Sequence, residues 1–199
     1  TAAPAGTNAA CIDDLAGLNG GPGRGRLLLT EAFNDQTGYA WVEAPVDLVH
    51  DQISVELDLF IFGGSNPPAD GLSVIFQLGN DPGIVGRGGG ALGTGGLPTG
   101  YVSVAFDILD NGDNDAEGPC DGISTRTCHV EVNWSSDPET QPSVLSSSDV
   151  PNFTGAGGED VPIRVRITLN EREIAVALST SFDGYGTREA IHSLLPAAP

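Results

Sequence analysis

Gln52-Ile53-Ser54-Val55-Glu56-Leu57-Asp58-Leu59-Phe60-Ile61-Phe62 decides the fold class. Ile53, Val55, Leu57, Leu59 and Ile61 fall on one side of an extended chain, with Ser54, Glu56 and Asp58 on the other. A repeat of two is the signature of a strand with one face buried and one face wet. Strands are also expected at Leu27 to Thr30, Tyr39 to Glu43, Gly71 to Leu78, Tyr101 to Ile108, His129 to Trp134, Pro162 to Asn170 and Glu173 to Leu178. No segment carries a convincing helix longer than a turn or two. Glycine (28) and proline (14) are abundant between the apolar runs, as turns between many strands require. These features together predict an all-β chain folded as an antiparallel β-sandwich.

The 199 residues suit one such domain, and 39 % apolar residues suffice for a sizeable core. Residues 1 to 25, rich in Ala, Gly, Pro and Asn, are expected to form a flexible N-terminal arm, with the sandwich spanning 26 to 199. There are 27 acidic side chains against 8 basic ones, all arginine, for a formal charge of −19. Such a surface repels nucleic acid and anionic lipid and favours divalent cations. No apolar run approaches the ~18 residues needed to cross a bilayer.

Cys120 and Cys128 bracket a short loop rich in Asp and Gly, and they are expected to pair in an oxidising compartment. Cys11 is left odd, either free or available to another chain. The sequence lacks methionine even at position 1, so Thr1 is read as a processed end, as removal of a secretory signal would leave it. A secreted, extracellular location follows. Asn133-Trp134-Ser135 and Asn152-Phe153-Thr154 are glycosylation sequons, which makes Asn133 and Asn152 candidate acceptors.

Three ordered stretches carry a resemblance. They are Pro67-Pro68-Ala69-Asp70-Gly71-Leu72-Ser73-Val74-Ile75-Phe76, then Gly89-Gly90-Ala91-Leu92-Gly93, then Val102-Ser103-Val104-Ala105-Phe106-Asp107-Ile108-Leu109-Asp110-Asn111. With Ala44-Pro45-Val46 ahead of the long alternating strand, the set resembles the legume-type (L-type) lectins and their bacterial relatives over roughly residues 26 to 180. The resemblance implies a concanavalin A-like jelly roll and a calcium-dependent carbohydrate-binding module of the lectin or adhesin kind.

In that family a cis peptide at the place of Ala69-Asp70 aims the aspartate at sugar hydroxyls, so Asp70 is the implied sugar acceptor. Taken alone, Pro-Ala-Asp-Gly is also good turn chemistry. Gly90 matches the glycine whose backbone N–H donates to the sugar, where a Cβ would hold the ligand off. Asp107 and Asn111 match calcium ligands, with the Leu109 carbonyl between them, and Asn111 also donates to the sugar. A further carboxylate is expected from the following loop. Asp115 fits the family spacing, and Asp113 and Asp121 are its rivals. Oxygen donors at a strand end and in its loop suit a hard cation such as Ca2+.

Two departures qualify the match. The family's transition-metal site needs a glutamate two residues before Asp107, and Ala105 stands there, so no manganese site is expected despite His129. After Leu194-Leu195-Pro196 the family continues with a core strand and a specificity loop, whereas this sequence ends at Pro199. Either the sequence is a piece of a longer chain, or a strand completing the sandwich is expected from the N-terminal arm or a neighbouring subunit.

Glycoside hydrolases on the same fold carry a Glu-x-Asp-x-x-Glu strand, but the corresponding residues here are Ala105 to Asp110. The nearest acid pair elsewhere, Glu56 and Asp58, has the pattern of solvated surface. The run Gly86-Arg87-Gly88-Gly89-Gly90 lacks the Gly-Lys-Ser/Thr of a phosphate cradle. The chain is therefore read as a non-enzyme whose partners are glycans, with Tyr101 and Trp134 as conceivable stacking platforms. The alternative is a structural subunit of an extracellular filament or matrix, assembled from copies of itself through strand donation or Cys11, with sugar binding vestigial.

Overall fold

The computed structural model describes residues 7–9, 11–13, 26–30, 36–42, 45–61, 70–77, 84–97, 100–109, 129–135, 143–147, 150–151, 153, 162–181 and 184–195. The described chain is built mainly of β-strands, with a short 3-10 turn at Gly89–Ala91. In order these are β1 (Thr7–Ala9), β2 (Cys11–Asp13), β3 (Arg26–Leu28), β4 (Thr37–Tyr39), β5 (Ile53–Leu59) and β6 (Gly71–Gln77). They continue with β7 (Tyr101–Asp107), β8 (His129–Ser135), β9 (Ser143–Ser147), β10 (Ile163–Leu169), β11 (Glu173–Thr180) and β12 (Gly186–Leu194). No described helix is long and apolar enough to cross a membrane.

Two four-stranded antiparallel sheets form the body, with orders β12-β11-β10-β5 and β6-β7-β8-β9. The alternation that marked β5 continues across its sheet. Ile53, Val55, Leu57 and Leu59 stand in register with Leu169, Ile167, Val165 and Ile163. Val176 and Leu178 of β11 extend the same layer. The second sheet contributes Val102, Val104 and Phe106 from β7 and Val130 and Val132 from β8. Most of these side chains are fully buried, each stabilising the fold by about 1.5–3 kcal/mol relative to exposure. The expected antiparallel sandwich is the observed architecture.

Wet faces follow the same parity. Arg164 meets Asp58 (Nε to Oδ1, 3.0 Å) and Arg166 meets Glu56 (Nη2 to Oε1, 2.7 Å) across the β5–β10 ladder. These pairs are exposed and contribute little to stability.

Within the stretch expected to be an arm, β1 pairs in parallel with β4 and β2 pairs antiparallel with β3. Both form separate two-stranded sheets, so neither adds a strand to the two large sheets. The strand expected at Tyr39 to Glu43 is Thr37–Tyr39, and the long one at Gln52 to Phe62 stops at Leu59. Besides β1 and β2, two further strands were not foreseen, β9 and β12. In β9, serines outnumber apolar residues. In β12, a bulge opposite Val176/Ala177 breaks the alternation that would have revealed it.

Candidate functional site

Strand β7 is buried along its whole length, on both faces. Val102, Val104 and Phe106 enter the sandwich core, while Tyr101, Ser103, Ala105 and Asp107 lie on the opposite face. That second face carries the residues singled out in the sequence.

At the β6–β7 end, Gly71 stands in register with Asp107, and the ladder continues one step through Ile108 N–H donating to the Asp70 carbonyl at 3.0 Å. Gly71 has φ +147°, and the carbonyl of Phe106 occupies the space a Cβ would need. Only glycine lets the chain swing from Asp70 into β6 this close to its neighbour. Asp107, 2 % exposed, accepts the Leu109 N–H on Oδ1 at 2.9 Å, a side-chain turn that leads the backbone off the strand.

The glycine-dense loop is tied down. Ser73 Oγ donates to the Leu92 carbonyl, and Gln77 Nε2 donates to the Ile84 carbonyl at 2.8 Å, which fastens the loop along β6. Within it, Arg87 N–H donates to Gly95 (2.8 Å) and Gly93 N–H to Arg87 (2.9 Å). These bonds present Gly89–Ala91 beside Asp70. The Cβ position of Gly89 lies 3.9 Å from Asp70 Oδ2, and Gly89 has φ +67°. Gly90 is exposed in the middle of the turn. Asp70, Gly90, Asp107 and Leu109 are thus gathered at one end of the β6–β7 pair.

The remaining expected site residues, Asn111, Asp113, Asp115 and Asp121, lie outside the described residues, as do Ala69, Cys120, Cys128 and Asn152. Among the described residues, no group of three or more His, Cys, Asp or Glu side chains converges as a metal cage. The donors that are described, a buried carboxylate on Asp107 and the Leu109 backbone, are oxygen donors of the kind Ca2+ takes.

Sequence reasoning missed Glu131. The β7–β8 register sets His129 opposite Asp107 and Glu131 opposite Ala105. His129 is fully buried, and its Nε2 lies 2.8 Å from Glu131 Oε1. Asn133 Nδ2 donates to the other oxygen at 3.3 Å. Burial pushes the Glu131 carboxyl upward, but the bond and charge of His129, with the Asn133 amide, outweigh it and hold the group below its ordinary 4.5. The alternation His129-x-Glu131-x-Asn133 was the available signal, since it sets three polar side chains on one face.

Both proposed stacking platforms are displaced. Trp134 shares its parity with Val130 and Val132 and packs against the core. Tyr101 is buried at the far end of β7 from Asp107, about 20 Å along the strand. Asn133 sits mid-strand and half-buried with its amide bonded to Glu131. Searches against models of known protein families and against curated proteins found no match for this chain.

Proposed function

We propose that the chain is a secreted, calcium-dependent carbohydrate-binding module of the L-type lectin kind on a concanavalin A-like sandwich. The observation that carries this reading is the placement of the Asp70 carboxylate against the Gly89–Ala91 turn, with Asp107 one ladder step away. A fixed carboxylate accepts hydroxyl protons, and an exposed glycine amide donates to a sugar oxygen. Asp107, the Leu109 carbonyl, Asn111 and a loop carboxylate (Asp115 or Asp121) hold Ca2+, and Asn111 completes the sugar contacts. The ion orders a binding residue and does no chemistry. A Cys120–Cys128 disulfide closes the same loop. The acid pair Glu56 and Asp58 is engaged by Arg166 and Arg164, which supports binding over catalysis.

A single shallow site of this kind binds one sugar weakly, so avidity comes from several copies. The test is a glycan-array screen of the whole chain with calcium and with chelator, repeated with Asp70→Ala. Glycan binding that needs both calcium and Asp70 supports the reading; binding to no glycan in calcium overturns it.

A second reading, a subunit of an extracellular filament, draws on β12, nine residues long and the edge of its sheet. Bare strand edges template pairing with another chain. Sedimentation with and without calcium and reductant separates the two. Polymers without glycan binding favour the filament, and a glycan-binding monomer excludes it.

A further inference from the structure

We infer that Glu131 is a positioning residue for the proposed calcium site, acting through His129 to hold the Asp107 side of the pocket in shape. This inference rests on the calcium reading above. On an antiparallel ladder, residues directly opposite share a face with Cβ atoms about 4.5–5.5 Å apart, so His129 and Asp107 are immediate neighbours. His129 is fully buried, and the Glu131 carboxylate engages its Nε2 at 2.8 Å.

Glu131 stands opposite Ala105 and reaches along β8 to the Nε2 of His129. Asn133 engages the second carboxylate oxygen, so the glutamate is held at both ends of its carboxyl group. The sequence of contacts therefore runs from Asn133 to Glu131 to His129, and ends on the residue beside Asp107. Asp107 is set from the other side by the Leu109 amide. Ion affinity depends on ligands held in place by groups that do not touch the ion.

The experiment is calcium binding by calorimetry on the whole chain, well below its melting temperature, for wild type, Glu131→Gln, Glu131→Ala and Val132→Ala. Val132 neighbours Glu131 on the same strand but is buried in the core, so its truncation loosens β8 without touching the polar face. The expected result is a loss of about tenfold in calcium affinity for Glu131→Ala, with a smaller loss for Glu131→Gln. Val132→Ala is expected to melt earlier yet keep its affinity.

Glu131 variants that bind calcium as wild type does overturn the inference while leaving the calcium site standing. So does an affinity loss in Val132→Ala equal to that in Glu131→Ala, because Glu131 then acts only through stability. Uptake of Mn2+ that requires Glu131 and His129 also overturns it, since both would then be ligands. A wild-type chain that takes up no calcium removes the ion site and the inference together.

Discussion

The Ile108 amide donates to the Asp70 carbonyl at 3.0 Å, one step beyond the last paired residues of β6 and β7. This bond closes the ladder at the point where two loops leave it. Asp70 and Asp107, brought from positions 37 apart in sequence, are thereby carried on one rigid strand end. Sites built on paired strands hold their geometry better than sites on loops alone.

Gly71 is the residue on which this junction turns. Its φ of +147° is open to glycine, and the Phe106 carbonyl fills the space of a Cβ. Gly71→Ala is expected to cost about 2 kcal/mol or more. Urea denaturation of the two chains measures it, and an unchanged midpoint would mean that the junction relaxes freely.

Ser73 ties the glycine-dense loop to β6 through the Leu92 carbonyl. Ser73→Ala is expected to cost about 1 kcal/mol and to speed hydrogen exchange at the Gly86, Arg87 and Gly93 amides. Exchange in β10 should stay as it was. Equal exchange in the loop would show that the serine does not fasten it.

Phe106 is fully buried and meets the Phe153 ring edge-on, with centroids 6.0 Å apart and planes at 79°. Phe106→Ala is expected to lower stability by about 3–5 kcal/mol, the range for removing a buried aromatic from a packed core. A loss near zero would place Phe106 outside the cooperative core.

On the wet face of β12, His192 Nε2 bonds Glu173, and Nδ1 lies 3.2 Å from Glu189. The Glu173 bond, followed by the Glu189 charge, raises the His192 pKa above its ordinary 6.5. A raised folded value means that protonation favours the folded chain. The contribution is complete below the unfolded pKa and disappears as pH rises through the folded one. Ring resonances of His192 should therefore titrate above 6.5, and Glu173→Gln should bring the midpoint down. The stability gap between wild type and His192→Gln should close on the alkaline side of that midpoint. A gap that instead widens with pH would contradict the pairing.

Legibility in the sequence tracks how directly each residue reports its surroundings. Strands β5 and β10 were plain because each apolar side chain alternates with a charged or hydroxyl one, as Val165 and Ile167 do with Arg164 and Arg166. Strand β7 was plain for the opposite reason: buried on both faces, it is an almost unbroken small and apolar run. Strand β12 was hidden because Arg188, Glu189 and Ala190 favour helix and the bulge shifts parity between Glu189 and Ile191. Asp70, Gly90 and Asp107 stood out in the sequence as ordered motifs, and the fold gathers them at one end of the β6–β7 pair. Glu131 was passed over although its partners His129 and Asn133 stand two residues away on the same strand, because only the β7–β8 register shows that this polar face lies beside Asp107. Trp134 was misjudged by neglect of parity, for Val130 and Val132 already assign its face to the core.

The most direct test of the proposed ion site is a thermal melt of the whole chain across a calcium titration, beside the same titration of Asp107→Ala. Binding to the folded state alone raises the midpoint by mass action. The wild-type midpoint is expected to climb with calcium and the Asp107→Ala midpoint to stay flat. A wild-type midpoint indifferent to calcium, or a variant that climbs equally, would contradict the ion site.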